Sequence, residues 1–262
     1  MNNTKSLLET IEPDIIKDMT ARREPIERAK AMTAGMGTAI VAVGALAGTA
    51  FGADKKLPGK IADVLNFALT LEYLEDEFYR TALGSSGLIP RNTQSVFSQI
   101  SKHETAHVAL LKSVLGSQAV AKPNFDFTAG GAFVDVFRNY QTFLAVSQAF
   151  EDTGVRAYKG QAGNLQDNGK ILTVALQIHS VEARHAAEVR RLRGEKGWIS
   201  GDSRGTLPAP TQAVYNGEGN TTQGGANLNG LAGLSNDVIT EAFDEPLSKE
   251  QVLAIASLFI KK

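Results

Sequence analysis

The sequence predicts an all-α protein, a four-helix bundle with one long crossover, followed by an extended C-terminal segment that ends in a short helix. Three observations support this fold. Apolar residues recur at helical spacing in four long stretches, and no stretch shows the strict alternation of a β-strand. The connection between the second and third stretches is also long, whereas simple up-down bundles use short loops throughout.

A short break separates the first two predicted helices. The first begins near Lys60 and ends at residues 84–90, which include Gly84 and Pro90, and the second ends at Gly116. The apolar face of each helix is one continuous stripe. It consists of Ile61, Val64, Leu65, Ala68, Leu71, Phe78, Tyr79 and Ala82 in the first helix, and of Phe97, Ile100, Val108, Leu111 and Leu115 in the second.

The third helix is predicted to begin near Phe133 and the fourth to end at Gly194. Their apolar stripes comprise Phe133, Phe137, Tyr140, Leu144, Val155 and Tyr158, and then Ile171, Val174, Ile178, Val189 and Leu192. Residues 117–131 before the third helix contain Pro123 and paired glycines and are not helical. At about 3.3 Å per residue, this connection can run the length of a helix of about 20 residues, which allows a crossover.

The bundle is predicted to occupy residues 60–198, between a leader (1–59) and a glycine-rich extension (199–262). In the leader, Arg22 and Arg23 precede an Ala/Gly-rich run at 33–52, which is typical of a twin-arginine export signal. A small-residue helix and a short membrane span are the alternatives. We expect export to the periplasm or the cell exterior, with membrane contact only through the leader. Without export the protein would be cytoplasmic.

The glycine-rich extension is predicted to close with a helix. Ser248 and Gln251 form a capping-box start, and apolar residues from Val252 to Phe259 follow at helical spacing. We therefore expect this end of the chain to pack along the bundle. The glycine-rich part before it could reach a partner subunit in a homo-oligomer.

Composition restricts the chemistry. The formal net charge is −1 with both signs interspersed, so no basic face indicates nucleic-acid binding. The chain has no cysteine, which excludes disulfides, thiolate metal sites and cysteine nucleophiles. Any metal must be held by oxygen and imidazole nitrogen.

Six polar residues interrupt the apolar stripes at matching positions. Two are single glutamates on the first and third helices, and the others form two Glu-x-x-His pairs one turn apart on the second and fourth. They are Glu72, Glu104, His107, Glu151, Glu182 and His185. The two halves of the set repeat at an offset of 78 or 79 residues, which predicts a pseudo-two-fold bundle in which the carboxylates converge.

Buried unpaired carboxylates are so costly that cations are expected between them. A glutamate from each of two helices plus a Glu-x-x-His pair from each of the other two is the ligand set of ferritin-like di-iron and di-manganese proteins. Without thiolates, two iron or manganese ions suit this set better than structural zinc. We expect Glu104 and Glu182 to bridge the ions, Glu72 and Glu151 to be terminal ligands, and each ion to have one histidine. Surface salt bridges on solvated helices are the alternative.

Several neighbours of these six are candidates for supporting roles. Glu75 lies one turn beyond Glu72 and is a candidate extra ligand or a group that supports the ligands. Tyr79 and Tyr158 are candidates to hydrogen-bond the opposing carboxylates or to pass electrons, or are core tyrosines. His179 is expected to fix local hydrogen bonds. Four further residues, His103, Asp76, Glu77 and Asp152, are expected to face solvent.

The sequence resembles a ferritin-like family of exported bacterial proteins that is related to plant desiccation-related proteins. The resemblance covers most of the chain from about Lys60. It rests on NFALTLEYLEDEFYR (66–80), SKHETAHVALL (101–111), VEARHAAEVRRL (181–192) and EAFDEPLSKEQVLAI (241–255), and more specifically on YNGEGNTTQGG (215–225). It implies a ferritin-like bundle and an export signal; it does not imply a settled activity.

Two main functions follow from the predicted site. The first is a di-metal oxidoreductase of ferroxidase, peroxidase or catalase type, which would act on dioxygen, peroxide or ferrous iron in stress protection. The second is a non-catalytic stress or desiccation protein whose metals tie the helices together. An iron-storage shell is disfavoured because the long glycine-rich tail suggests a smaller assembly.

Overall fold

The computed structural model describes residues 56–261 of the chain. The predicted leader therefore lies outside the described residues, apart from its last few positions. Within the described range, no helix combines the length and the hydropathy that crossing a membrane requires.

Four long helices form the bundle, as predicted. They are α1 (Gly59–Gly84), α2 (Gln94–Leu115), α3 (Tyr140–Ala162) and α4 (Gly169–Leu192). Local sequence sets their ends: the side chain of Asn139 accepts the backbone N–H groups of Gln141 and Thr142 to cap α3, and Gly116 ends α2 with a φ of 54°. The predicted all-α bundle is confirmed.

The predicted start of α3 is wrong by several residues. Phe133 and Phe137 lie in turns before the helix, although Phe133 is buried and both belong to the apolar core. Their rings pack near Phe259 and Phe78, at centroid distances of 6.0 Å and 5.5 Å. The apolar stripe thus continues beyond the helix because these turns cover the same core.

The crossover between α2 and α3 runs along α1 from one end of the bundle to the other. Near its start the side chain of Asn66 donates to the carbonyl of Gln118 at 2.9 Å, and farther on Lys122 pairs with Glu77 at 2.6 Å. At its end the Tyr140 hydroxyl lies 3.0 Å from that of Thr93, just before α2 begins. Helices α2 and α3 therefore run parallel, and the predicted long crossover is present.

The C-terminal segment packs on the bundle. Its regular elements are the 3-10 helices Ala209–Val214 and Leu231–Gly233, the paired strands β1 (Thr222–Gln223) and β2 (Ala226–Asn227), and the helices α5 (Asn236–Thr240) and α6 (Lys249–Ala256). The predicted capping box at Ser248 and Gln251 is present. Leu247 and Val252 share a second apolar cluster with Phe67 and Leu71 of α1. The exact division into leader, bundle and extension stays a prediction.

A buried ion pair secures this segment to α3. The Arg156 Nε lies 2.7 Å from Glu218 Oε1, and both side chains are almost fully buried. The guanidinium also donates to the backbone carbonyls of Val214, Asn216 and Glu245. One arginine of α3 thus holds three parts of the C-terminal segment.

Replacing Gly160 with alanine should destabilise the protein by about 1–3 kcal/mol, the usual range for overpacking. A Cβ at this position would lie 2.0 Å from the carbonyl oxygen of Leu247, so α3 and the segment would have to separate. The free energy of unfolding by denaturant measures the effect. Gly169→Ala is the control, because a Cβ there meets nothing within 4 Å. Equal stability of the two variants would contradict this contact.

Candidate metal centre

The six residues predicted as metal ligands all lie buried inside the bundle. Glu72 comes from α1, Glu104 and His107 from α2, Glu151 from α3, and Glu182 and His185 from α4. Each Glu-x-x-His pair spans about one helical turn, so both side chains leave the same face of the helix. Four helices thus direct their polar groups to one place in an otherwise apolar core.

The first group of side chains surrounds His107. Its Nδ1 lies 3.1 Å from Glu72 Oε2, 3.1 Å from Glu182 Oε1 and 3.2 Å from Glu104 Oε2. A single N–H cannot make three good hydrogen bonds at once. One ligand atom from each of these four residues lies within 4.8 Å of the others, so a single cation could contact all four.

The second group is the counterpart around His185. Its Nδ1 lies 2.9 Å from Glu104 Oε1, 3.2 Å from Glu151 Oε2 and 3.3 Å from Glu182 Oε2. Glu104 and Glu182 therefore belong to both groups, with one oxygen toward each histidine. This sharing is the arrangement that two bridging carboxylates require, and it follows the pseudo-two-fold repeat of the sequence.

Burial and mutual repulsion make the carboxylates hard to ionise without a cation. Burial raises the pKa of Glu72 to about 8 and the pKa of Glu151 well above its usual value. Burial alone would lower the pKa of His107 and His185, but the neighbouring carboxylates raise it overall. Burial alone would raise the pKa of Glu182, but both histidines lower it overall. Protons here partly neutralise a site that is rich in negative charge.

The donor atoms fit divalent cations. Glu104 Oε1 and both carboxylate oxygens of Glu182 are buried, and the imidazoles near them give none of the three a well-aligned hydrogen bond. Orphaned buried acceptors are costly, and a metal ion would satisfy them. Oxygen-rich groups with one imidazole each suit iron or manganese. The structure brings the six residues together; their ligation of metal stays a prediction.

Two tyrosines hold the carboxylates that are not shared. The Tyr79 hydroxyl on α1 donates to Glu151 Oε1, and the Tyr158 hydroxyl on α3 donates to Glu72 Oε1 at 2.5 Å. Each half of the bundle thus supports a glutamate of the other half. In each glutamate the other oxygen, Oε2, remains directed at the histidine.

His103 is partly exposed, but it does not simply face solvent as predicted. Its Nδ1 lies 2.9 Å from His185 Nε2, the two rings stack at 5.1 Å and 10°, and its other nitrogen lies 2.7 Å from the Gln99 amide. Adjacency to Glu104 only indicates that the two side chains point in different directions. The contact with α4 arises because His103 points toward that neighbouring helix, which sequence spacing does not reveal.

Glu75 and His179 lie near the six residues without joining either group. Glu75 is buried, and burial together with the neighbouring glutamates raises its pKa well above the usual value. Its Oε1 lies 3.4 Å from where a Cβ of Gly154, its counterpart in the repeat, would be. The His179 Nδ1 lies 3.0 Å from the carbonyl oxygen of Val155, a local hydrogen bond.

Two of the acidic residues that were predicted to face solvent are buried. Asp76 accepts a hydrogen bond from the Thr105 hydroxyl at 2.6 Å. Asp152 lies 2.5 Å from the Arg190 guanidinium and accepts from the Tyr215 hydroxyl at 2.7 Å. Distant parts of the chain supply these partners, so the helical pattern did not reveal them. Glu77 is partly exposed, as expected.

A helical bundle with a long middle crossover and two histidine-centred carboxylate groups belongs to the class of carboxylate-rich four-helix proteins. The family model described as the ferritin-like domain matches residues 60–195, which is just over half of the 262 residues. The chain therefore belongs to the ferritin-like family. No curated protein matches it.

Binding of divalent metal should release protons, and the affinity should rise with pH through the range around 8. The reason is that Glu72, with a pKa of about 8, is mostly protonated at pH 7 and must lose its proton to bind an ion. Titration of metal into weakly buffered apoprotein measures the release. Glu72→Gln should release fewer protons. Binding that is independent of pH and releases none would contradict the prediction.

Proposed function

We propose that the protein holds two iron or manganese ions between the six buried residues and uses them in redox handling of dioxygen, peroxide or ferrous iron. It would then be a di-metal oxidoreductase that serves stress protection. The observation that supports this is the sharing of Glu104 and Glu182 between two histidine-centred groups. When bound, two such ions supply reversible one-electron changes between the divalent and trivalent states.

Charge balance supports two ions. The four glutamates carry four negative charges when ionised, which two divalent cations neutralise. Glu75, whose pKa is raised well above its usual value, can remain protonated beside them. The interior then holds no uncompensated charge, which is the condition for burying ionised groups.

The protein's own groups would position the ions and control access. His107 and Glu72 would hold one ion, His185 and Glu151 the other, with Glu104 and Glu182 between them. The hydroxyls of the two tyrosines restrain the terminal glutamates, so these keep their orientation. Complete burial of the glutamates excludes bulk water.

A structural role for the metals is the second candidate. The observation that favours it is that the ligands come from all four helices, so that two ions would tie the whole bundle together. Export through the leader and a desiccation-related role are further proposals, which the leader and the sequence resemblance support.

Glu104→Ala should lower the metal content from two ions per chain and remove most of the stabilisation that metal provides. At free metal about a hundredfold above Kd, binding adds about 2.7 kcal/mol to the free energy of unfolding. Metal analysis and thermal unfolding with and without metal measure both effects. Glu188→Ala on α4, a partly exposed glutamate, is the control. Unchanged metal content in Glu104→Ala would remove Glu104 from the site.

Turnover separates the two candidate functions. The metal-loaded protein should consume peroxide, or oxidise ferrous iron in air, faster than Glu104→Ala. Full metal content without any turnover, together with a large rise in melting temperature on loading, would instead indicate a structural role.

His103→Ala should lower the affinity for the ion at His185 by about 10–100-fold, the usual effect of removing a group that orients a ligand. If His185 held a metal through Nδ1, its Nε2 would carry the proton and could donate to His103 Nδ1, which would fix the ring. Competition with a chelator measures the two affinities separately. His179→Ala is the control, because His179 bonds only a backbone carbonyl. An equal loss of affinity for both ions in His103→Ala would contradict the assignment of His103 to the site at His185.

A further inference from the structure

A solvent-open cleft with a volume of about 320 Å³ lies between helices α3 and α4 and the C-terminal segment. Its volume is at the lower end of the range of small-molecule sites. None of the residues that line it belongs to the two histidine-centred groups. Gln148 and Arg190 contribute from the helices, and Trp198 and Arg204 from the segment that follows α4.

A chain of hydrogen bonds fixes the amide of Gln148 in this cleft. Asp152, a carboxylate, can only accept, so the Tyr215 hydroxyl at 2.7 Å must donate to it. The hydroxyl oxygen is then free to accept from Gln148 Nε2 at 3.3 Å. Arg190 holds Asp152 in place. The amide of Gln148 therefore cannot rotate by half a turn without losing this bond.

The fixed amide leaves one polar atom unsatisfied. Gln148 is 1% exposed, and its Oε1 has no hydrogen-bond partner. An unpaired buried acceptor costs about 1–3 kcal/mol. A hydroxyl or N–H group of a bound molecule would satisfy it once a small shift of the side chain opens the oxygen to the cleft.

The charges around the cleft disfavour an ionic ligand. Arg190 is paired with Asp152, and Lys196 with Glu241 at 2.6 Å, so neither cation is free for an anion. Arg204 donates to the carbonyl of Leu207 at 2.7 Å. The orphan carbonyl oxygen would repel an anion. The lining sets three cationic side chains against two carboxylates, Glu195 and Asp237, so that it favours neither sign of charge.

Neutral hydroxyl groups suit the remaining features. The lining contains both donors, such as Arg204 and Ser200, and acceptors, such as Asp237 and the Gln148 oxygen. A hydroxyl can do both. Trp198, whose surface is 51% exposed, adds a large apolar wall against which the C–H groups of a ring could pack.

We propose that this cleft binds a neutral polyhydroxylated small molecule, such as a sugar or a cyclitol, through the Gln148 oxygen and the Trp198 indole. The site is separate from the candidate metal centre. Binding of the polyol in the cleft does not depend on the proposed redox function, so either proposal can fail alone.

Tryptophan fluorescence tests the proposal directly, because Trp198 is the only tryptophan in the chain. We expect glucose, trehalose or myo-inositol to change the emission saturably in the full-length protein, whereas inorganic phosphate, citrate and putrescine do not. A saturable response to phosphate, citrate or putrescine without any response to the three polyols would overturn the proposal. An unchanged emission with all six compounds, together with no heat of binding by calorimetry, would also overturn it.

A matched pair of variants locates the site. Gln148→Leu removes the orphan acceptor and should weaken polyol binding by about tenfold, as expected for one lost hydrogen bond. Gln177→Leu makes the same chemical change at an exposed position of α4 outside the cleft and should bind normally. If Gln148→Leu does not fold, Arg204→Gln at the rim replaces it with the same expected weakening. Undiminished binding in the folded variant would overturn the assignment.

Discussion

The structure depends on how four ionisable carboxylates can coexist in the centre of an apolar bundle. Each glutamate is buried, and burial pushes carboxyl groups toward their protonated form. Protons and two histidines only partly compensate, since three oxygens of the shared glutamates receive no well-aligned hydrogen bond from the imidazoles beside them. Two divalent cations would neutralise the charge and satisfy these oxygens together. The rest of the bundle holds these side chains at the same height along the four helices.

The repeat makes the centre nearly symmetric, and a few residues break that symmetry. The reciprocal bonds of Tyr79 and Tyr158 are its symmetric part. The hydrogen bond of His103 to His185 supports only one histidine, and Glu75 fills the space beside Gly154 in only one half. The two histidine-centred groups should therefore differ in their affinity for a cation.

The C-terminal segment completes the protein by covering the bundle. Arg156 of α3 holds the segment in place through Glu218. The segment also approaches α3 so closely at Gly160 that no side chain would fit there. In covering α3 and α4 it buries Asp152 against Arg190 and Tyr215, and it forms the wall of the cleft that contains Trp198. A segment that reads as a glycine-rich tail therefore adds both stability and a second candidate site.

The helical period, the paired Glu-x-x-His motifs and the long connection determined the bundle, its crossover and the six residues that converge, because each is a matter of spacing along one chain. The start of α3, the burial of Asp152 and the contact of His103 with His185 were decided only by the tertiary structure. Phe133 belongs to the core without being helical, and Asp152 is buried only because Arg190 and Tyr215 meet it there. Spacing determines which face of a helix a side chain occupies, but the partner that it meets depends on how distant parts of the chain pack.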